Sequence, residues 1–398
     1  MSESGRVGLW QRTPDAEEQD WLGRVAALAP VLRAGRDQAE HDRATPAEVF
    51  AELRDAGIPR MWVSTEFGGE QVSLRTGSAV IRALARLDAS IAWQMGVQGA
   101  IGRLSDYLPE QTARELFKNH AGLVVGGVNP SGRAEAVQGG YRLSGEWGFA
   151  SGSAHADWLV CAAPVTLDGK PVTGAAGPQL RMLFIPKADA EMLDTWYTVG
   201  LRGTGSNHYR VRDVFVPEEY TVDRADMLAA PADRLSRAYP IGYYDFGPFT
   251  SASTALGIAQ DALDTFTELA LTKTPTLGLS KLASGHTTQE KLARAEMLAH
   301  TAELLLRDAA DQAVAHGEDG GDRLSALVRV VAATVAEHAS TAVDIAYTLA
   351  GSSSLYATSR LERCFRDVHS AVKHITLSPS HFEMVGQYLL GGGLHLRR

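Results

Sequence analysis

Between about 15 and 120, apolar residues return every three or four positions, as in Leu22, Val25, Leu28 and Leu32. That period predicts amphipathic helices. The run "STEFGGEQVS" breaks the pattern with a Gly-Gly turn, and "RTGSAVIRALARLDASIAWQMGVQGAIGRL" reads as a buried helical pair. Gly96, Gly99 and Gly102 are spaced by three, so the absence of side chains allows close approach there. From Gly122 to about 220 the texture changes to short apolar runs, "GLVVGGV", "DWLVCAA", "RMLFIP" and "VRDVFVP", punctuated by Gly, Pro and Asp. Such runs predict strands. In "GEWGFASGSAHADW" the alternation has period two, placing Tyr141, Leu143, Trp147, Phe149 and Ser151 on one face of a strand. Residues 221 to 240 read as a connector, and from about 245 the pattern is again that of long helices, four of which make a bundle. Gly351 falls where a C-terminal cap belongs. The expected division is an N-terminal α-helical domain over 1–120, a central β domain over 121–225 and a C-terminal four-helix bundle over 226–398.

Composition narrows the function classes. The chain has 398 residues, 45% of them hydrophobic and 21% charged, with a formal net charge of -9. Two or three domains suit that length. An acidic chain with no clustered Lys and Arg argues against nucleic acid or an anionic membrane as partner. The longest uncharged stretches, 246 to 260 and 345 to 359, are too short and too rich in Ser, Thr and Gly for a membrane span. The N-terminus lacks a basic and an apolar signal region, and Cys161 and Cys364 are isolated. Both features fit a cytoplasmic protein.

Several chemistries lack their motifs. There is no GxGxxG after a strand, no GxxxxGK[ST] and no GxSxG. No HExxH or HxxxH pair occurs, and His369 and His374 are about 140° apart on a helix, so no metal site is expected.

Four segments carry a resemblance over essentially the whole chain: "VNPSGRAEAVQGGYRLSGEWGFASGSAHADW" (128 to 158), "GLRGTGSNHYRVRDVFVPEEY" (200 to 220), "LGIAQDALD" (256 to 264) and "RDVHSAVKH" (366 to 374). Together with the domain order they resemble the acyl-CoA dehydrogenase fold, α+β and mainly α, with a barrel-like β domain between helical ones. The resemblance also locates the base those dehydrogenases need. One subgroup places its Glu where this chain has Ile375, one position after His374; another places it at Gly247, two positions from Asp245. Neither position holds a carboxylate. "FASG" after the tryptophan, with a His beside the vacated position, instead resembles the two-component (group D) flavin-dependent monooxygenases of this fold.

That resemblance implies reduced FMN or FAD, delivered by a separate NAD(P)H-dependent flavin reductase, and O2 as co-substrate, reacting through a flavin C4a-hydroperoxide. It implies a homotetramer and a small aromatic or polyketide-like substrate. Trp147 and Phe149 would flank the isoalloxazine, with Ala150 between them and Ser151, and Ser151 beside N5. Thr204 and Ser206 would stand next to the flavin, and Asn129 would offer a neutral amide. His374, with a pKa near neutrality, would manage protons at the oxygen-reactive edge. Lys273 and Arg366 would reach the phosphate of a flavin in a neighbouring subunit, and Trp93 would wall the substrate pocket. Plainer readings stand beside these: Trp147, Phe149 and Trp93 as core, Arg366 and Asp367 as an ion pair fixing the last helix, and His155 and Asp157 as polar groups at a strand end. The alternatives for the whole chain are an acyl-CoA dehydrogenase with a displaced base and a catalytically silent flavin carrier.

Overall fold

The computed structural model describes residues 10, 12–118, 122–174, 177–231, 239–276 and 278–394. Helices come first: α1 (Ala16–Asp42), α2 (Ala47–Asp55), α3 (Leu74–Leu87), α4 (Ala89–Gly102) and the short α5 (Glu110–Ala113). Asp15 starts α1 by accepting from the Glu18 amide at 2.9 Å, and Glu17 and Glu18 complement the positive end of the helix. The buried face of α1, Trp21, Val25, Leu28 and Leu32, is the one its periodicity predicts. Asp88 ends α3 and caps α4 through the Ile91 amide at 3.0 Å, which turns the chain tightly between two buried helices. A Cβ on Gly99 would lie 2.2 Å from the Trp62 ring, so α4 can pack here only because that side chain is absent.

The strands follow: β1 (Leu123–Gly127), β2 (Arg133–Val137), β3 (Gly140–Ala150), β4 (Ala156–Leu167), β5 (Lys170–Pro171), β6 (Thr173–Gly174), β7 (Gly177–Pro178), β8 (Leu180–Pro186), β9 (Glu191–Leu193), β10 (Asn207–Pro217) and β11 (Thr221–Asp223). Nine of them form one sheet in the order β11-β8-β4-β2-β3-β10-β9, with β1 and β5 also on β4. β4 is its spine, parallel to β1 and β2 and antiparallel to β8. The β3–β10 pair is antiparallel, with irregular register between Asn207 and Tyr209.

The chain ends in α6 (Tyr243–Thr272), α7 (His286–Ala350), α8 (Arg360–Ala371) and α9 (Ser380–Leu389). α7 is two helices joined at non-helical His316 and Gly321, which with α6 are three of the four long segments the sequence predicts, while the last predicted segment is split into the short α8 and α9. Gly351, at φ 56°, caps the second helix of α7. The stretch Gly320–Ser354 is long and apolar enough to cross a bilayer by length and composition alone, but most of it is buried inside the fold. Within α6, Pro248 cannot donate to the Tyr244 carbonyl, and Arg329 does so instead at 3.4 Å.

Candidate active site

The site begins where β3 ends. Phe149 has φ 65°, a left-handed conformation that a side-chain-bearing residue adopts only under constraint. This, with the irregular register opposite it, breaks the strand alternation. Trp147 is 1% exposed, donates from Nε1 to the Ala162 carbonyl at 2.7 Å and stacks on Tyr209 at 5.8 Å. Phe149 is 61% exposed, edge-on to Trp196 at 6.1 Å and near His208 at 5.9 Å. The expected common face is therefore corrected: Trp147 and Ala150 belong to the core, and Phe149 alone presents an aromatic surface.

Just beyond the strand, Ser151 is buried and starts a chain of hydroxyls. Its Oγ lies 2.7 Å from that of Ser206, which lies 2.7 Å from Thr204 Oγ1, and Thr204 donates to the Leu201 carbonyl at 2.8 Å. Each hydroxyl has one proton. With the Thr204 proton committed to Leu201, Ser206 donates to Thr204 and Ser151 to Ser206. Ser151 thus keeps its lone pairs for an incoming donor. Gly152 closes the turn at φ 83°, its amide donating to the Thr204 carbonyl at 2.8 Å.

Two helices brace this chain. From α8, Asp367 Oδ1 accepts the Leu201 amide at 2.7 Å, and burial pushes its carboxyl up to about 7. From α4, Gln94 donates to Thr45 Oγ1 at 2.7 Å and to the Gly203 carbonyl at 3.2 Å. Arg366 does not pair with Asp367; it engages Glu40 at 2.9 Å, Glu362 at 2.5 Å and the Val199 carbonyl. Arg366 and Asp367 of α8 therefore pin the 199–201 loop twice.

His374 caps the turn Ile375–Leu377, its Nδ1 2.7 Å from Thr376 Oγ1, and meets Trp93 edge-on at 5.4 Å. The protein packed around this part-buried ring pushes its pKa down to about 4. That corrects the expectation of a pKa near neutrality: in the chain alone the imidazole is neutral at physiological pH, with Nδ1 engaged by a hydroxyl. Ile375 is exposed and Gly247 leaves a gap, so neither vacated base position is refilled. Asp245 is no substitute, because it accepts from Ser325 at 2.6 Å and forms a buried ion pair with Arg329.

Other expected site residues stand apart. Asn129 is exposed between β1 and β2. Lys273 donates to the Ala350 carbonyl at 2.8 Å, capping α7 roughly 40 Å along α6 from Gly247. His155 stacks on Phe50 at 4.2 Å and bonds the Thr45 carbonyl at 2.7 Å, while Asp157 accepts from the Gly122 amide at 2.8 Å; both serve the strand end. Gln94, Trp196 and His208 were not anticipated. Gln94 adjoins Trp93 in "IAWQMG", but nothing local marks a glutamine as a tie to a loop more than a hundred residues away.

Comparison with known proteins now decides the family. Two family models match, "Acyl-CoA dehydrogenase, N-terminal domain" over residues 18–117 and "Acyl-CoA dehydrogenase, C-terminal domain" over 249–379. A pigment production hydroxylase of a Rhodococcus species is 30% identical over 384 residues, covering 94% of this chain and 97% of that protein. The oxygenase component of an FADH2-dependent resorcinol hydroxylase from a Rhizobium species is 30% identical over 392 residues, covering 93% and 94%. The crystal structure of 3-HSA hydroxylase from Rhodococcus sp. RHA1 superposes with a TM-score of 0.86 at 25% identity, covering 95% of this chain and 98% of that one. The chain belongs to the two-component flavin-dependent monooxygenases of the acyl-CoA dehydrogenase fold. It is an oxidoreductase that works with reduced flavin and O2. In a monooxygenase of this kind the donor set can be tested against the cofactor, and it fits. A reduced isoalloxazine carries an N–H at N5, for which the polarised Ser151 chain offers an acceptor, and Phe149 offers an exposed aromatic surface.

Proposed function

We propose that this chain is the oxygenase component of a two-protein system, taking reduced FMN or FAD from a separate NAD(P)H-dependent reductase and placing one atom of O2 on a small aromatic substrate. The names of the relatives, an oxygenase component and hydroxylases, support the division of labour and the substrate class. The observation that carries the reading is the chain of hydroxyl contacts from Ser151 to Leu201, whose direction follows from the Thr204 bond to the Leu201 carbonyl. When bound, reduced flavin supplies the activation of O2. Ser151 Oγ would accept the N5 proton's hydrogen bond and keep that proton from water. Phe149 would hold the ring face, with Trp196 limiting its tilt. His374, neutral and fixed through Nδ1 by Thr376, would hold or accept a proton at Nε2. Trp93 would stand beside it as pocket wall. Asn129, exposed in this chain, would need the β1–β2 turn to close over the site. We further read the protein as a cytoplasmic homotetramer. Exposed Leu355, Tyr356, Leu389 and Leu390 near the ends of α7 and α9 suit burial between copies. Lys273, remote from Ser151 along its own chain, would serve a neighbour's flavin phosphate. Arg366 would do so only by giving up Glu40 or Glu362.

The test is anaerobic loading with reduced FMN or FAD followed by rapid mixing with O2. Wild type is expected to reoxidise slowly with little H2O2 released when no substrate is present. Losing one such hydrogen bond in Ser151→Ala should speed H2O2 release about tenfold. Equal rates would overturn the role of Ser151, and bleaching of bound oxidised flavin by an acyl-CoA would overturn the monooxygenase assignment.

A further inference from the structure

Where α1 and α3 meet α7, three helices enclose a small charged cavity. Arg75, Ser78 and Arg82 stand at i, i+3 and i+7 on α3 and so share one side, and Arg307 faces them from α7. With Glu18 of α1 they line a space about the size of one water, left open because Ala79 and Ala310 are small. Two donors on this wall have nothing to donate to. Ser78 is 7% exposed, and its Oγ is buried without a hydrogen-bond partner. Other helical hydroxyls turn back onto the carbonyl four residues earlier, as those of Ser253, Thr254 and Ser340 do at 2.7, 3.1 and 2.8 Å. Ser78 does not. Arg307 Nε is likewise buried and unpartnered, and no carboxylate pairs with this guanidinium among the described residues.

The charges around the cavity do not balance. Three guanidiniums meet one carboxylate on the wall, that of Glu18, and Arg12 already engages both of its oxygens. Arg82 has Glu303 at 2.9 Å, yet burial still pulls its pKa below the usual guanidinium value. Arg75 turns to Asp15 at 2.6 Å and Asp311 at 3.5 Å, both about half exposed and so screened by water. A water in the cavity could accept from Ser78 and Arg307, but its own hydrogens would face guanidiniums and a carboxylate already taken. A monatomic anion accepts from both donors and has no hydrogens to place. Sulfate or phosphate would exceed the space.

We infer that this cavity is a site for one halide ion, chloride or bromide, held by the Ser78 hydroxyl and the Arg307 Nε–H, with Arg75 and Arg82 supplying the positive field. The bound ion ties α1 and α3 to α7, and so joins the first group of helices to the C-terminal bundle. It binds whether or not flavin is present.

The experiment compares thermal melts of the full chain in sodium chloride and in sodium gluconate at equal concentration, gluconate being too large for the cavity. Wild type should melt about 2 °C or more higher in chloride, and the gain should saturate as chloride rises. Arg307→Gln should raise the half-saturating chloride concentration about tenfold, and Ser78→Ala about threefold. Arg294→Gln, at an exposed position of α7 paired with Glu290, should respond as wild type does. Each variant is compared with itself in gluconate, so a changed baseline stability drops out, and Ser78→Ala keeps the test decisive if the Arg307 variant does not fold. Wild-type crystals grown in sodium bromide should show an anomalous peak between Ser78 and Arg307. Melts that do not distinguish chloride from gluconate, or an equal chloride response in every variant, would overturn the inference. So would an ordered water in place of the bromide peak, or a peak without a saturable melting response, which means binding at crystal concentration only.

Discussion

Replacing Asp367 by Asn separates what this carboxyl does for the site from what its charge costs the fold. Oδ1 accepts the Leu201 amide at 2.7 Å, and the side chain sits in a residue only 3% exposed. Burial lifts its pKa to about 7, against the opposing pull of the Leu201 hydrogen bond and of Arg360, with Asp88 and Glu40 adding to the rise. The folded value therefore lies above the unfolded value of 3.8. Such a group contributes stability that is complete below the unfolded pKa and is lost as pH rises through the folded one. About three pKa units correspond to about 4 kcal/mol, an order-of-magnitude figure. An amide keeps the acceptor for Leu201 and never ionises. Asp367→Asn should thus gain on wild type by about 3 kcal/mol between about pH 4.5 and about pH 8. Chemical denaturation of both proteins at the two pH values measures this, and hydrogen exchange at the Leu201 amide reads the contact itself. Asp367→Leu, by contrast, strands that amide and should lose about 1 to 3 kcal/mol. It should also release H2O2 faster than the Asn variant, because the Leu201 carbonyl that receives Thr204 and the Trp196 indole is no longer held. An Asn variant that gains nothing on wild type as pH rises, or that leaks as the Leu variant does, would refute the reasoning.

Further outcomes follow from the same geometry. Trp147→Phe removes the bond to the Ala162 carbonyl and leaves a void in the core, so its unfolding free energy should fall by about 2 to 4 kcal/mol. Phe149→Gly should leave stability within about 1 kcal/mol of wild type, since φ 65° suits glycine, yet weaken reduced-flavin binding about tenfold in an anaerobic titration. The depressed pKa of His374 predicts the opposite pH trend to that of Asp367. Its contribution is present above pH 6.5 and is lost as pH falls toward 4, because the unfolded imidazole takes the proton first. His374→Gln should remove at most about 3 kcal/mol of that acid sensitivity in denaturation curves at pH 7 and about pH 4.5, with His381, also pushed down to about 4, supplying a separate share.

Much of this was legible in the sequence because periodicity reports burial. The α1 face, the strand up to Ala150 and the long helices α6 and α7 lie where their patterns put them. The error at Phe149 has a specific cause: period two holds only while φ stays in the extended region, and nothing in "WGFAS" reveals a left-handed phenylalanine. Trp147 and Phe149 were therefore assigned one role although burial gives them opposite ones. Trp93 and His374 are 281 positions apart, and only the resemblance named both before the fold brought their rings together. The brace from Asp367 to Leu201 was invisible, because a carboxylate beside an arginine reads as an ion pair until geometry sends the two to different partners.

The chemistry open to the site around His374 follows from what stands at the two base positions of the dehydrogenases. Abstraction of a proton from carbon calls for a carboxylate aimed at the substrate, and both positions that hold one in the dehydrogenases are vacant, one an exposed isoleucine and the other a glycine. Asp245 is two residues from Gly247, about 200° around the helix, and is bound to Ser325 and Arg329 on α7. Freeing it would strand a buried guanidinium, at a cost of several kcal/mol. Beside these positions stands a neutral imidazole fixed by a hydroxyl, and at the strand end a serine with spare lone pairs. In the proposed reading these groups would hold and orient protons rather than remove them from carbon, as oxygen insertion requires and dehydrogenation does not.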